Sequence, residues 1–417
     1  MSQPASPRAP LRPLDEALAE LLGYALPLTG SERVSTFDAD GRVLAQDLVS
    51  PLQVPPQDNS SMDGYAVRAA EIAAGFDGDA GMVLPVSQRI AAGNAGAPLA
   101  PGSVARIFTG APVPQGADAI VMQEDTVPAG EGSVRVLRVP PAGQWIRRSG
   151  EDVTRGAVVL ARGERLTPAG CGLAAGIGLA SVPVARRVKV ALFSTGDELV
   201  MPGDLAPEQM PPGAIYNSNR FFLSALLRRL GCETTDYGIV PDRRDATITA
   251  LQDAAEAHDL ILTSGGVSVG EEDHIKPAVE QLGSLDLWQI AIKPGKPCAY
   301  GKVGAAHFIG LPGNPVSSFV TFLLLVRPFL LKLQGAGVLA PRPMALRADF
   351  DWPRADKRRE FLRVRRNAQG GLDLFPNQSS GVLTSAVWGD GLVDNAAGRT
   401  IARGDSVPFI AFSELLA

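Results

Sequence analysis

Leucines recur at helical spacing near the start of the chain, at positions 14, 18, 21 and 22. Asp15 and Glu16 fall in the first turn, where acidic side chains stabilise a helix. This pattern predicts an amphipathic helix that ends at Gly23. Short β-rich runs separated by glycine, proline and alanine follow, and they predict a small β-rich domain over residues 51–149.

Helical spacing returns after the β-rich segment. Thr167 is a typical N-cap residue and Pro168 suits the first helical position, so we expect a helix over residues 169–178. The sequence therefore predicts one discontinuous domain made of residues 1–50 and 150–187, with residues 51–149 inserted into it.

Strands and helices alternate over residues 188–338, which predicts a doubly wound α/β domain. Its predicted strands cover residues 188–193, 234–240 and 260–263, and its predicted helices cover 218–230 and 244–257. Residues 339–417 return to short alternating strands with glycine-rich turns. They predict a small β-barrel or β-sandwich.

The most apolar run, residues 319–326, is stopped by Arg327 and Pro328. It predicts a buried helix of a soluble core, because a membrane span needs roughly 18 uninterrupted apolar residues. We therefore expect no membrane partner. Residues 1–13 contain four prolines and no apolar stretch, which indicates a cytoplasmic protein rather than one carrying a targeting segment.

Composition and charge exclude further classes of partner and site. The chain has 417 residues, enough for two to three domains, and 39 basic against 44 acidic residues give a net charge of −5. This balance argues against a nucleic-acid partner bound through phosphate neutralisation, so any anion site must be local. The three cysteines are far apart and form no zinc motif, which predicts free, mostly buried thiols: Cys171, Cys232 and Cys298.

Loops rich in glycine and polar residues follow the predicted strands of the α/β domain. Ligands bind beyond the carboxyl ends of such strands, where glycine loops and helix N-termini present amides to phosphate groups. A single loop of this kind is better explained as a tight turn, but four at one sheet edge predict a site. The substrate-binding candidates are Ser194, Gly265, Gly266, Ser268, Gly313 and Asn314. Neither a Walker A motif nor a complete G-x-G-x-x-G is present, which disfavours a P-loop NTPase or a Rossmann dehydrogenase.

Charged residues in the same loops are candidates for binding a phosphate group, directly or through a metal ion. Mg²⁺ prefers one or two carboxylates together with substrate phosphates, and the candidate ligands are Asp197, Glu198, Asp242 and Asp273. Helix capping is an equal alternative for Asp242 and Asp273, since each precedes a helical pattern. Lys293 and Lys296, each followed by proline, are placed to serve two anionic groups up to about 10 Å apart.

Long motifs in series resemble one known family. They cover residues 58–67, 109–114, 147–152, 193–199, 264–270, 293–297 and 310–315. In this order, across nearly the whole chain, they are similar to the molybdopterin molybdenumtransferases, the family of MoeA and the gephyrin E domain. The resemblance implies a homodimer of elongated four-domain subunits. It also implies an α/β domain similar to molybdopterin adenylyltransferase and a C-terminal β-barrel.

The resemblance also implies an activity. Members insert molybdate into adenylylated molybdopterin, hydrolyse its phosphoanhydride, release AMP and require Mg²⁺. By motif, Asp63, Glu198, Asp242, Asp273, Lys293 and Lys296 would be catalytic. Thr109, Arg147, Asp152, Ser317, Arg363 and Ser380 would bind substrate, the last three through molybdate. Asn217 departs from the family pattern, which usually has aspartate there, and this leaves the magnesium ligands open.

Other functions remain as alternatives. One is a non-catalytic scaffold like gephyrin, although this chain lacks the additional N-terminal domain and linker of such fusions. Another is an adenylyltransferase acting on molybdopterin, or a nucleotide hydrolase, that uses the α/β domain alone. Tungstate in place of molybdate is also open. The expected protein partners are molybdopterin adenylyltransferase and molybdenum-cofactor-processing proteins.

Overall fold

The computed structural model describes residues 11–240, 243–266 and 275–416. Within these residues the chain forms three six-stranded sheets and four smaller strand pairs. The first helix, Leu14–Tyr24, ends one residue beyond the predicted Gly23. Leu14, Ala17 and Leu21 are buried in the largest apolar core, which the α/β domain also builds.

The inserted segment is β-rich, as predicted. Its six-stranded sheet encloses two small apolar cores, and the helix Ala69–Gly75 packs on it. The strands, in sheet order, are Ala119–Met122, Gly64–Val67, Val104–Ile107, Met82–Ile90, Ser133–Val136 and Thr126–Pro128.

Short antiparallel pairs join the chain before this sheet to the chain after it. The pairs are Ser31–Ser35 with Ser181–Ala185, Leu48–Val49 with Val158–Leu160, and Asn59–Ser60 with Ile146–Arg147. The helix Pro168–Gly176 follows, and the Gly170 amide donates a 3.1 Å hydrogen bond to Thr167 Oγ1, which confirms the predicted N-cap. The domain boundaries at residues 50, 150, 187 and 338 stay predictions.

The α/β domain is doubly wound, as the alternating pattern predicts. Four strands are parallel and lie in the order Glu233–Val240, Lys189–Thr195, Leu260–Ser264, Ala306–Leu311; Pro297–Val303 and Gly283–Gln289 add an antiparallel edge. Side chains alternate along the central strand. Leu192 packs with the helix Asn219–Arg229 on one face, and Phe193 packs with Arg244–Ala257 and Ile275–Leu282 on the other.

A long apolar helix, Pro315–Leu333, lies in the core of this domain. It is long and apolar enough to cross a membrane, but 83% of its most apolar window is buried inside the fold, as expected of a core helix. Its middle turn, Phe322–Val326, is a π-helix that leads into Arg327–Leu333. This wide turn ends two positions before Pro328, which cannot donate a helical hydrogen bond.

The C-terminal region forms a closed five-stranded barrel. Its ring consists of Arg359–Arg366, Gly371–Leu374, Met344–Ala348, Ser406–Ala411 and Gly391–Asn395, and the last strand pairs back to the first. Two short helices, Thr384–Trp388 and Phe412–Leu416, accompany it. The barrel also takes up Ile292–Lys293 from the α/β domain as a parallel neighbour of Arg359–Arg366. The two domains are therefore joined by backbone pairing.

The remaining described elements are one short strand pair and several 3₁₀ turns. Leu199–Val200 pairs in parallel with Ile215–Tyr216 beside the α/β sheet. Four single turns of 3₁₀ helix are Thr36–Asp38, Gly78–Ala80, Gln123–Asp125 and Pro207–Gln209 in the described part of the chain.

Candidate functional site

The carboxyl ends of the parallel strands meet at one edge, as predicted. Ser194 and Thr195 end one strand and Ser264 ends its neighbour, followed by Gly265 and Gly266. Both glycines have positive φ, 92° and 68°. A Cβ at Gly265 would lie 2.8 Å from the Thr195 carbonyl oxygen, so only glycine lets the two loops approach this closely.

Asn219 ties two of these loops together. This residue is 8% exposed, and its Nδ2 donates hydrogen bonds to Ser264 Oγ at 2.8 Å and to the Gly313 carbonyl at 2.7 Å. The Gly313 carbonyl accepts only, so the amide orientation is fixed. Oδ1 is then left buried with no partner in the described residues, and the Ser264 hydroxyl proton remains available.

Further polar atoms at this edge are buried without a hydrogen-bond partner among the described residues. Buried polar side chains are nearly always paired, so a cluster of unpaired ones indicates a ligand site. They are Ser194 Oγ, Thr195 Oγ1, Asn217 Nδ2, Asn219 Oδ1 and Thr263 Oγ1. Both hydrogen-bond donors and acceptors are therefore available to a ligand here.

The long apolar helix begins at the same edge. Asn314 is the N-cap residue and Pro315 is the first residue of the helix, but the Asn314 side chain makes no capping hydrogen bond within the described residues. The barrel supplies a substitute, because the Val316 amide donates to the Ser380 carbonyl at 2.9 Å. Ser317, in the next turn position, is 4% exposed. Ser317 and Ser380 are therefore brought close together.

The lysine loop, residues 293–297, packs against this helix. Gly295 has a φ of 111°, and a Cβ there would clash with Thr321 Oγ1 and lie 3.4 Å from the Ser317 carbonyl oxygen. Lys293 Nζ lies 3.0 Å from Glu360 Oε1 and 3.4 Å from Asp356 Oδ2, both on the barrel. Lys296 has no side-chain partner within the residues that the structure describes.

Arg363 is the largest fully buried side chain of the described residues and is 1% exposed. It has no carboxylate partner there. Its guanidinium donates only to neutral oxygens: Ser385 Oγ at 3.1 Å, the Phe361 carbonyl at 3.0 Å and the Ser379 carbonyl at 3.4 Å. Burial lowers the pKa of Arg363 to about 10. A buried guanidinium without a counter-charge is costly, and a bound anion would offset that cost.

The acidic candidates are only partly described. Asp197 and Glu198 are exposed, and their carboxylates accept no hydrogen bond within the described residues. Asp242, Asp273 and Ser268 lie outside those residues. Among the residues that the structure describes, no three histidine, cysteine or acidic side chains are grouped for a metal ion. The structure thus brings Asp197 and Glu198 to the sheet edge, and the described residues alone do not complete a metal site.

The remaining candidates lie in or beside the β-rich sheet. Asp63 Oδ1 accepts 2.8 Å hydrogen bonds from the amide and hydroxyl of Thr109, which lower the pKa of Asp63. Arg147 and Asp152 are exposed on the adjoining segment. Within the described residues, no hydrogen bond or ion pair joins these four side chains to the α/β domain. The described part of the chain therefore presents two separate groups of predicted site residues.

Three residues were missed in the sequence. Asn219 lies in a motif that we singled out only for Asn217, and its spacing after Ile215–Tyr216 was the available signal. Glu360 and Asp356 approach Lys293 from a strand region more than sixty residues away, and no local pattern marks such a contact.

Comparison with known proteins identifies the family. The chain matches the MoeA N-terminal region (domain I and II) over residues 12–178, the probable molybdopterin binding domain over 191–332, and the MoeA C-terminal region (domain IV) over 345–412. The molybdopterin molybdenumtransferase of Haemophilus influenzae is 44% identical over 323 residues, 77% of this chain and 78% of that protein. That of Synechococcus elongatus is 38% identical over 380 residues, 89% and 91% of the two chains.

A solved structure agrees over the full length. The crystal structure of the molybdopterin biosynthesis MoeA protein from Pyrococcus horikoshii superposes with a TM-score of 0.82 at 29% identity. It covers 96% of this chain and 100% of that one. With the three domain matches and relatives above 30% identity, the chain belongs to the molybdopterin molybdenumtransferase family.

Proposed function

We propose that this chain is a molybdopterin molybdenumtransferase that inserts molybdate into adenylylated molybdopterin. The phosphoanhydride bond of the substrate is hydrolysed and AMP leaves. The observation that carries the proposal is Arg363, a buried guanidinium with no carboxylate partner in the described residues, beside the Ser380 loop and the start of the long apolar helix. A tetrahedral oxyanion supplies the missing negative charge.

A separate observation supports binding of the pterin substrate at the strand ends. The unpaired polar atoms at the strand ends form a buried surface of mixed donors and acceptors. A pterin ring carries N–H donors as well as ring nitrogen and carbonyl acceptors, so it can satisfy both kinds. Ser194, Gly265, Gly266 and Gly313 line this surface, and Ser268 is the remaining candidate in the same loop.

Charge is the main obstacle to the reaction. Molybdate is a dianion that must approach an anionic diphosphate, and two like charges at 4 Å repel by about 4 kcal/mol at an effective dielectric constant of 20. Lys293, Lys296 and Arg363 offset this repulsion. Ser317 and Ser380 orient oxygen atoms, so catalysis is chiefly positioning and charge stabilisation.

Mg²⁺ fits the acidic side of the site. The carboxylates of Asp197 and Glu198, at the strand ends, accept no hydrogen bond from the described residues, and Mg²⁺ commonly takes one or two carboxylates and completes its shell with water and phosphate oxygens. Asp242 and Asp273 are further candidate ligands. When bound, the ion neutralises charge on the phosphate groups. Glu198 and Asp197 would hold it next to the pterin surface.

The active form is a homodimer in this proposal. Asp63, Thr109, Arg147 and Asp152 make no hydrogen bond or ion pair to the α/β domain of their own subunit in the described residues. A second copy can bring them to the strand ends. We also expect a cytoplasmic enzyme that receives its substrate from molybdopterin adenylyltransferase and delivers its product to proteins that process the molybdenum cofactor.

AMP release tests the proposed reaction. Purified protein, adenylylated molybdopterin and Mg²⁺ are incubated with molybdate, with tungstate or with neither, beside the Lys293→Ala variant. We expect oxyanion-dependent AMP release that the variant loses while remaining folded. Absence of release under every condition would overturn the proposal and favour a scaffold. ATP turnover with free molybdopterin would instead indicate an adenylyltransferase.

A further inference from the structure

The ammonium group of Lys293 is fixed from the barrel rather than from its own domain. Its contacts in the described residues are Glu360 at 3.0 Å, Asp356 at 3.4 Å and the face of the Trp352 ring at 5.9 Å. The backbone is fixed as well, because Lys293 lies opposite Glu360 in the parallel pairing with Arg359–Arg366. Main chain and side chain of the lysine are therefore both held by the C-terminal barrel region.

Glu360 is itself held in one position. It is 1% exposed, and its Oε2 accepts a 2.7 Å hydrogen bond from Trp352 Nε1 and a 3.3 Å bond from Asn395 Nδ2. These bonds leave Oε1 for Lys293. A buried carboxylate with so many donors has little freedom to move, and it fixes the position of whatever bonds to its remaining oxygen.

Asp356 is paired mainly with an arginine. Both of its carboxylate oxygens bond to the Arg358 guanidinium, at 3.0 and 2.8 Å, and its contact with Lys293 is the longer one. Glu360 makes no such bond to an arginine in the described residues. It is therefore the acid whose charge is paired with the lysine.

We propose that Glu360 is a positioning residue for Lys293: it directs the ammonium group so that its other N–H donors face the oxyanion. This inference rests on the proposed function, in which Lys293 binds an anion. Glu360 touches no substrate. Its role is to remove the rotamer freedom that a lysine side chain would otherwise lose on binding.

The test measures molybdate affinity by calorimetry for four proteins: the wild type, Glu360→Gln, Lys293→Met and the double variant. We expect each single change to weaken binding by about tenfold, and the double variant to bind no more weakly than Lys293→Met. This lack of additivity is the signature of a residue that acts through the lysine. If Glu360 had a merely structural role, the double variant would bind molybdate more weakly than Lys293→Met does.

Asp394→Asn is the matched control. Asp394 lies on the neighbouring barrel strand and is also largely buried, but it pairs with Arg359 instead of Lys293. Its loss should leave molybdate affinity within about twofold of the wild type. If Glu360→Gln does not fold, Trp352→Phe removes one donor to Glu360 and should weaken binding in the same direction.

Two results would overturn the inference alone: wild-type affinity in Glu360→Gln, or additive losses in the double variant. No molybdate binding by the wild type would overturn the proposed function, and the inference with it. A wild type that binds molybdate with the expected coupling but releases no AMP would contradict the reaction and leave the positioning role standing.

Discussion

At the scale of single residues, the anion-binding role that we propose for Arg363 opposes stability. Its guanidinium is fully buried, and its only described partners are neutral oxygens. In our proposal, the fold bears the desolvation of this charge so that an anion can be bound later. Replacement of such a buried charge by an apolar side chain of similar length commonly stabilises a protein.

Arg363→Met should therefore raise the free energy of unfolding by about 1 kcal/mol and abolish molybdate binding. Chemical denaturation and calorimetry measure the two effects. Arg359→Met is the control, since Arg359 pairs with Asp394 and its loss should destabilise the fold. A large loss of stability in Arg363→Met would mean that the guanidinium serves the fold instead.

Asn219 supports a second prediction at this scale. In Asn219→Asp, a carboxylate oxygen replaces the amide nitrogen and faces the Gly313 carbonyl, so the bond to Gly313 is lost and the two oxygens repel each other, while the Ser264 hydroxyl can still donate to the carboxylate. We expect the KM for adenylylated molybdopterin to rise by about tenfold while the KM for molybdate stays within about twofold. Equal increases in both constants would contradict a role at the pterin surface.

At the scale of elements, local patterns predicted most of the α/β domain. The helix Arg244–Ala257 has the predicted bounds, and the strand Leu260–Ser264 is one residue longer than predicted. Both depend on apolar periodicity and end signals that lie within a few residues. The pairing of Lys293 with Glu360 depends on the barrel's position and has no local signal, so the sequence did not predict it.

The strand Ala306–Leu311 carries a titratable group that links stability to pH. His307 packs edge-on against Phe329 of the long apolar helix, and burial lowers its pKa to about 4. The unfolded chain takes up this proton near pH 6.5, whereas the folded one does not until about pH 4. The folded state is therefore penalised as the pH falls through this window.

His307→Gln should reduce the dependence of folding stability on pH. We expect the free energy of unfolding of the wild type to fall more steeply between pH 6.5 and 4 than that of the variant. Denaturant titrations at several pH values give both curves. Parallel curves would show that His307 does not titrate differently in the folded and unfolded chains.

At the scale of the whole molecule, the candidate residues fall into two groups. Lys293, Arg363 and Ser317 lie in the region where the barrel contacts the α/β domain, whereas Asp63 and Thr109 pair with each other in the β-rich sheet. Local sequence motifs were enough to identify the residues of both groups. They did not predict that the two groups are separated in space within one chain.

Mixed dimers test whether two copies share one site. Asp63→Ala and Lys293→Ala are each expected to be inactive alone. When the two variants are unfolded and refolded together, half of the dimers contain one of each, and one of their two sites is intact. Roughly a quarter of the wild-type activity should return. No recovery, with mixed dimers verified by mass, would place both residues in the same subunit's site.

Transfer of molybdenum to the pterin is the most direct test of the account. Wild type and Arg363→Met are incubated with adenylylated molybdopterin, Mg²⁺ and molybdate, and the molybdenum bound to the pterin product is measured by mass spectrometry. We predict one molybdenum atom per AMP released by the wild type and none transferred by the variant. AMP release without molybdenum in the product, or equal transfer by the variant, would contradict an oxyanion site built around Arg363.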